Sequence, residues 1–310
     1  MGGSLRNPAA FCNIVGFRPS FGVLPMAPSR HAWAWLARTG PMARDVTDIA
    51  LAMSVLTGPD PRIPVGCPVD AAEFAAVAEP DGAGDSGRPL AGVHVGLSTD
   101  FGLGVPVEDE ITEVLLAEAK VFAELGAEVQ QACPDLTEAD LVFDTTRAFD
   151  MAISLGQVVA EHGDLVKPEV HWNVEKGLRL TARDLMDAAL ARTRLHLAVR
   201  DFFDQFDILL CPTTQVLPFE AGHRYPTTVR GVAMNTYIDW MRSACLISAT
   251  GCPAISVPGG FSTSGLPVGL QLVAADGQDA ELLRVARAYA QVTRHAGQTP
   301  TLPPHEVDQP

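Results

Sequence analysis

The chain has 310 residues, of which 47% are hydrophobic, and a formal net charge of −15 at pH 7. This acidic balance argues against direct nucleic-acid binding and against anionic membranes, because both attract basic surfaces. The sequence has no apolar run of about 18 residues and no signal-peptide pattern, so we expect a cytoplasmic protein without a membrane-spanning segment. Its six cysteines are scattered without metal-type pairing, which favours reduced thiols and indicates neither a metal nor another cofactor.

The candidate site lies in the first residues, Met1-Gly2-Gly3-Ser4. Consecutive glycines can turn several backbone N–H groups toward one point and so form an anion-binding nest. A serine at the end of such a nest can attack a carbonyl carbon while the N–H groups around Met1, Gly2 and Gly3 hold the oxyanion. The same residues also occur in flexible turns, so their spacing leaves both interpretations open.

Hydrophobic periodicity predicts the secondary structure in chain order. Helices are expected at residues 45–56, 109–125, 139–162, 181–203, 235–250 and 281–293. Strands are expected at 93–97, from 128 onward, and at 206–210, 254–257 and 268–273; exposed loops are expected at 81–87 and 166–173. The strand–helix–strand order over 93–129 implies a parallel βα unit, whereas the last two strands suit an antiparallel pair. We therefore predict an α/β fold with a mixed, largely parallel sheet covered by helices.

Two further groups of residues have both a binding and a purely structural interpretation. His31, Trp33 and Trp35 lie in a predicted loop, where they line a substrate entrance or cover the edge of the core. Thr213 and Thr214 follow a predicted buried strand, and the carboxyl ends of strands in α/β sheets face the ligand crevice. The sequence therefore leaves two interpretations of Thr213 and Thr214 open, as pocket residues or as ordinary turn residues.

Longer motifs decide between the interpretations of the first residues. GGSLRNPAAFC stands at 2–12 and VGFRPS at 15–20, followed by RTGPMARDVTD at 38–48, GCPAISVP at 251–258 and GLPVGLQLV at 265–273. In this order they resemble the amidase signature family, serine hydrolases with a Ser–cis-Ser–Lys triad. The resemblance spans roughly residues 1 to 295. It implies that Ser4 attacks a small-molecule carboxamide, that backbone donors of Met1, Gly2 and Gly3 hold the oxyanion, and that water clears the acyl-enzyme without a cofactor.

The resemblance also has a gap. In the family, the catalytic lysine and the cis-serine come before the nucleophile, and this sequence begins at the nucleophile. We therefore expect residues 1–310 to be one partial amidase domain, its C-terminal two-thirds, with a loose tail at 296–310 and impaired activity. Its three lysines, Lys120, Lys167 and Lys176, lie outside any Ser/Gly-rich motif and are expected on the surface. The eight histidines offer no motif that pairs with Ser4.

Two other functions stay open on the sequence. One is a glutamine amidotransferase A-type subunit, which releases ammonia for a transamidation on tRNA and needs a partner subunit to contact the RNA. The other is a catalytically dead amidase-like binding protein. A second copy of the chain is the protein partner left open for the amidase itself, and Arg6 is expected to anchor the first residues by charge-assisted hydrogen bonds.

Overall fold

The computed structural model describes residues 1–27, 29–64, 66, 69–79 and 87–299. Its α-helices are α1 Arg6–Phe11, α2 Val46–Leu56, α3 Ala71–Ala78, α4 Asp109–Glu124, α5 Ala139–His162, α6 Pro168–Leu178, α7 Ala182–Phe203, α8 Arg242–Thr250 and α9 Asp279–Thr293. Its strands are β1 Val15–Arg18, β2 Met42–Ala43, β3 His94–Leu97, β4 Glu128–Gln131, β5 Ile208–Pro212, β6 Thr228–Val229, β7 Val232–Ala233, β8 Ala254–Phe261 and β9 Pro267–Val273. Short 3₁₀ turns occupy Gly163–Leu165, Asp239–Met241 and His295–Gly297.

Seven of these strands form one mixed sheet in the order β2-β1-β8-β9-β5-β3-β4, and β6 and β7 form a separate ribbon. The α/β class and the mixed sheet are confirmed, as are the parallel β3–β4 unit and the antiparallel β8–β9 pair. The expectation of a largely parallel sheet is wrong. Only β3 pairs in parallel, with β4 and β5, whereas β1–β2, β1–β8, β5–β9 and β8–β9 are antiparallel. Parallel pairing needs a crossover connection, and in the described sheet only β3 and its two neighbours have one.

The sheet is buried on both faces. Consecutive residues of one strand belong to opposite hydrophobic clusters: Ile255 and Leu272 pack with α2 and α9, whereas Ala254 and Val273 pack with α7 and α8. This is the period-two alternation of an extended chain, in which successive side chains point to opposite faces. The first residues of the chain lie against this buried sheet, because α1 packs on β1, β8 and β9.

The predicted helices at 109–125, 139–162 and 281–293 are confirmed as α4, α5 and α9. Residues 166–173 are not the expected loop, because α6 begins at Pro168, where the missing N–H of proline costs a helix nothing. The helix expected over 235–250 begins only at Arg242, since the Asp239 carboxylate accepts hydrogen bonds from the N–H groups of Asn235 and Thr236 and closes a turn there. Helix α3 was not predicted.

Two predicted loose segments fall largely outside the described residues, namely 81–86 of the loop and 300–310 of the tail. The described start of the tail is held, because Asn13 Nδ2 donates hydrogen bonds to the carbonyls of His295 and Gln298 at 2.9 and 3.2 Å. Within the described part of the chain, every helix is too short or too polar to cross a membrane.

One buried carboxyl group makes stability depend on pH. Asp279 is fully buried at the start of α9, where Oδ1 accepts a hydrogen bond from the Ser20 N–H at 2.8 Å and Oδ2 has no partner among the described residues. Burial raises the pKa of Asp279 to about 6. An acid with a raised pKa binds its proton more tightly in the folded state, so its contribution to folding improves as pH falls from 6 toward 4.

We therefore expect Asp279→Asn, which keeps an acceptor for Ser20 and removes the charge, to raise the free energy of unfolding by about 2 kcal/mol at pH 7.5. The gain should disappear near pH 4, where the folded wild-type carboxyl is already protonated. Urea unfolding at both pH values measures this, with the exposed Asp164→Asn as the matched control. A gain that is equal at both pH values would contradict the assignment of the effect to ionisation.

Candidate active site

Ser4 lies on the loop that leads into α1, and its side chain is exposed while Gly2 and Gly3 are buried. Gly3 adopts a φ of +91°, in the left-handed region that favours glycine. Among the described residues, the N–H groups of Gly2, Gly3 and Ser4 donate no hydrogen bond. The loop thus presents an accessible hydroxyl beside free backbone donors, which is the arrangement that acyl transfer needs.

Two glycines of the sheet let this loop lie directly on the strands. A Cβ at Gly16 of β1 would meet the Leu5 carbonyl oxygen at 2.2 Å, and a Cβ at Gly269 of β9 would meet the Ala10 Cβ at 2.5 Å. Both distances are far below van der Waals contact, so only glycine permits the approach. The position of Ser4 is therefore set by the sheet beneath it as well as by its own backbone.

Arg6 anchors the loop, as predicted. Its guanidinium is buried and donates to the Gln271 Oε1, to the Ala244 carbonyl at 3.0 Å and to the Ser248 Oγ at 2.7 Å. Ser248 Oγ is also 2.8 Å from the Met1 carbonyl oxygen. Strand β9 and helix α8 therefore hold the loop from two sides.

A second buried arginine, which the sequence did not single out, lies behind the first. Arg18 donates from its two terminal nitrogens to the carbonyls of Cys252 at 2.7 Å and Ser248 at 3.2 Å, near the C-terminal end of α8, where carbonyl dipoles favour a cation. Burial lowers the pKa of Arg6 to about 9 and that of Arg18 to about 10, and both remain charged at pH 7.

A third arginine completes the lining of a small cavity of about 20 Å³ at Ser4. Met1, Gly3, Leu5 and the three arginines Arg6, Arg18 and Arg38 line it together with Ser4. No acidic side chain is among these lining residues. Burial and the neighbouring Arg18 lower the pKa of Arg38 to about 8. The cavity beside Ser4 is therefore strongly electropositive.

The Met1 end of the loop is tightly enclosed. Met1 is half-buried. A Cβ at Gly2 would lie 3.2 Å from both the Cys245 Sγ and the Met241 Sδ. The predicted oxyanion residues therefore lie side by side, between Ser4 and the residues of α8.

Other nucleophiles and bases near the site are poorly suited to catalysis. Burial raises the pKa of both Cys245 and Cys252 to about 12, so their thiolates are not populated at neutral pH. Lys120 and Lys167 are exposed on α4 and before α6, and Lys176 pairs with Asp144 at 3.2 Å. All three lysines are thus surface charges, as predicted. Within the described ranges, the Ser4 hydroxyl has no side-chain hydrogen-bond partner.

A much larger cavity of about 830 Å³ adjoins this site, with Arg38 in the walls of both. Trp33 and Trp35 of the predicted loop line it, and the Arg192 guanidinium stacks 3.7 Å above the Trp35 ring. Phe149 supplies a further aromatic wall from α5. Its volume and its mixed aromatic and charged lining are typical of a small-molecule site.

His31 and Asp150 also line the large cavity, and their Nδ1 and Oδ1 atoms are 3.4 Å apart. Burial raises the pKa of Asp150, and the nearby His31 opposes that shift. Thr213 and Thr214, in contrast, are buried away from both cavities, and the Thr213 Oγ1 is 3.0 Å from the Ser256 Oγ. The structural interpretation of these two threonines is the one that fits.

A substitution at Gly3 tests the geometry of the loop. A Cβ there would meet the Asn7 Oδ1 at 2.5 Å and the Ala244 Cβ at 2.7 Å, in addition to the strain of a positive φ. We expect Gly3→Ala to lower the free energy of unfolding by about 2–3 kcal/mol. Gly102→Ala, also at positive φ but with open space around its Cβ, is the matched control and should cost about 1 kcal/mol. Equal losses in the two variants would mean that the contacts around Gly3 do not constrain the loop.

A mixed, helix-covered sheet presents an exposed serine beside backbone N–H groups that make no hydrogen bond among the described residues, an arrangement that is compatible with acyl transfer. The comparisons with known proteins name the family: the family model described as Amidase matches residues 1–283, and the chain belongs to this family. The resemblance noted in the sequence is thereby confirmed.

Individual relatives agree with this assignment. The chain is 30% identical to an acylamidase of Rhodococcus erythropolis, over 96% of the chain and 61% of that protein. It is 29% identical to the A-type subunit of the glutamyl-tRNA(Gln) amidotransferase of Thermosynechococcus vestitus, over 97% and 64%. Among solved structures, a bacterial aryl acylamidase of the amidase signature family superimposes with a TM-score of 0.82 at 26% identity, over 96% of this chain and 62% of that one. The chain spans about 64% of the length of the curated relatives it matches.

Proposed function

We propose that the protein carrying this chain hydrolyses the C–N bond of a small carboxamide, with Ser4 as the nucleophile. The observation that carries the proposal is the exposed Ser4 hydroxyl directly after Gly3, whose left-handed backbone leaves neighbouring N–H groups free. Residues 1–310 then form part of a single amidase domain.

In this mechanism, the Ser4 Oγ attacks the carbonyl carbon while its proton passes to a base. Negative charge develops on the carbonyl oxygen, which the N–H groups of Gly2, Gly3 and Ser4 stabilise by hydrogen bonds. The C–N bond then breaks, the amine leaves with a proton, and water hydrolyses the acyl ester to release the acid and restore Ser4. The electropositive side chains of Arg6, Arg18 and Arg38 favour the negatively charged intermediates.

The base in this proposal is the lysine that acts through a cis-serine, which the family resemblance implies. None of the three lysines of this chain is placed for that role, because each is a surface charge or is paired with Asp144. We therefore assign the base to a segment outside this sequence, and expect the 310-residue chain without it to turn over amides weakly or not at all.

Trapping the acyl-enzyme tests the role of Ser4. The protein is mixed with 4-nitrophenyl acetate, quenched in acid within the first turnover and digested for mass spectrometry. We expect an acetyl group on the peptide that contains Ser4, and no such adduct after prior unfolding in urea. An acetyl group only on lysines or on another nucleophile would refute the proposed role.

An amidotransferase A-type subunit is the second candidate, because several relatives of comparable identity carry that name. In that function the same serine would release ammonia from an amide for a second subunit to use. Stable co-purification with such a partner, and ammonia release stimulated by it, would favour this candidate. Amide turnover that is unchanged by the partner would favour the amidase. A folded, intact protein that turns over no amide with or without the partner would favour the third possibility, a catalytically dead amidase-like binding protein.

We also place the protein in the cytoplasm. The described cysteines Cys12, Cys133, Cys211, Cys245 and Cys252 are all free thiols, as is usual in reducing compartments. A homodimer stays a prediction, which sedimentation of the purified protein at several concentrations would test.

A further inference from the structure

The small cavity at Ser4 has an unusual charge balance. Three arginines reach it from three separate elements, Arg6 from α1, Arg18 from β1 and Arg38 from the loop before β2. The hydrogen-bond acceptors of Arg6 and Arg18 are uncharged carbonyl, amide and hydroxyl oxygens. The charges of Asp276 and Asp279 act on Arg18 and Arg38 only from a distance, without an ion pair among the described residues. In the described part of the structure, none of the three forms an ion pair with a carboxylate.

Arg38 has more unused donors than the other two arginines, of which Arg6 leaves its buried Nε without a partner among the described residues. Its Nη1 donates to the Ala37 carbonyl at 2.9 Å, but its buried Nε and Nη2 have no acceptor among the described residues. The Phe21 ring covers the guanidinium, at 4.6 Å from its centroid. A shielded guanidinium with two unused N–H groups is costly, and a planar anion that accepts both bonds would relieve that cost.

From this arrangement we propose that the Ser4 cavity binds a carboxylate and that Arg38 retains the acid product of the reaction there. The inference rests on the proposed amide hydrolysis. It identifies a product-binding residue and predicts inhibition of the enzyme by its own acid product.

The size of the cavity favours the product's carboxylate over a second carboxylate elsewhere on the substrate. A volume of about 20 Å³ holds a group of about the size of one or two waters, which suits a carboxylate head and little more. Arg38 also lines the cavity of about 830 Å³ that Trp33, Trp35 and Phe149 line, and we place the remainder of the acid there. The carboxylate that fits is therefore the one formed at the carbon that Ser4 attacks.

The reaction itself creates the difference in affinity between the amide substrate and the acid product. The substrate amide is neutral; in the last step, water adds to the acyl carbon, the bond to the Ser4 Oγ breaks, Ser4 regains a proton and the acid leaves as a carboxylate plus a proton. Arg38 gains an ion pair only with the product, so the product binds more tightly than an amide of the same shape. We expect release of the acid to slow turnover as it accumulates.

The test compares benzoate with benzamide, which share a shape and differ in charge, by isothermal titration of the Ser4→Ala protein so that nothing is hydrolysed. We expect benzoate to bind at least about tenfold more tightly, and the difference to fall below about twofold in Ser4→Ala/Arg38→Gln. Benzamide binding should persist in that double variant, which shows that the site is still folded. Arg183→Gln in the same background is the matched control, because Arg183 is an exposed arginine on α7 that lines neither cavity and pairs with Asp187.

Equal affinities for benzoate and benzamide, or a preference that survives Arg38→Gln, would overturn the proposal. A third ligand, 4-carbamoylbenzoate, carries an amide and a distant carboxylate; if it binds in an Arg38-dependent manner and benzoate does not, the carboxylate belongs to the substrate and the product assignment is wrong. These titrations need no turnover, so their failure is distinct from a failure to find the acyl group on Ser4.

Discussion

Ser4→Ala is expected to lower kcat for amide hydrolysis by at least about 10⁴-fold in an active preparation that carries this chain, because nucleophile and base act as a unit and residual binding replaces neither. KM should change little, since the free backbone N–H groups of Gly2 and Gly3 are unaffected. Steady-state kinetics with an aryl amide measures both constants. Circular dichroism should show an unchanged fold, because the Ser4 side chain is exposed.

The matched control is Ser54→Ala, at a half-buried serine on α2 whose hydroxyl donates to the Leu51 carbonyl of its own helix. It should keep full activity. If Ser4→Ala retained more than about a hundredth of the wild-type kcat, another residue would have to be the nucleophile and the proposed mechanism would be wrong.

Arg6→Ala is expected to lower the free energy of unfolding by about 3–5 kcal/mol. The substitution removes the guanidinium that joins β9 to α8, and it leaves the side chains of Gln271 and Ser248 and the Ala244 carbonyl buried with fewer donors. It also opens a cavity, because Arg6 is among the largest fully buried side chains. Denaturant unfolding followed by fluorescence measures the loss.

Arg200→Ala is the control for this prediction, since Arg200 is an exposed arginine on α7 whose ion pair among the described residues is with Asp201, and it should leave the free energy of unfolding nearly unchanged. Arg6→Lys separates geometry from charge: one ammonium cannot reach three acceptors arranged around a planar guanidinium, so we expect it to recover less than half of the loss. Full recovery by lysine would mean that the charge alone holds the loop.

The helices show where the local pattern of apolar residues was sufficient to predict the structure. Residues 139–162 and 281–293 carry a regular apolar face, and their helices were predicted almost to the residue. The helix expected from Asn235 failed because a side chain, the Asp239 carboxylate, takes over backbone N–H groups that a helix would use. Such competition depends on one rotamer and leaves no periodic trace in the sequence.

The direction of the strands was harder to predict from the sequence than the positions of the helices. The strand–helix–strand order correctly predicted the parallel pairing of β3 with β4, but the expectation that most of the sheet is parallel is wrong. Strand β1 also pairs with β8, and β5 also pairs with β9; each partner is more than fifty residues away along the chain, and both pairings are antiparallel. Periodicity identifies a strand and its buried face, whereas direction is set by which strand lies beside it.

The features of the candidate site also divide into those that the sequence predicts and those that only the tertiary structure shows. The sequence by itself indicated that the chain belongs to the amidase family, that Ser4 and the glycines before it are the candidate site and that Arg6 anchors them, because these residues lie together in one contiguous motif. Only the tertiary structure brought Arg18 and Arg38 to the Ser4 cavity and opened the large cavity beside them. Those side chains come from separate elements, and a distant charge acts on a reaction through its position in space, which packing alone decides.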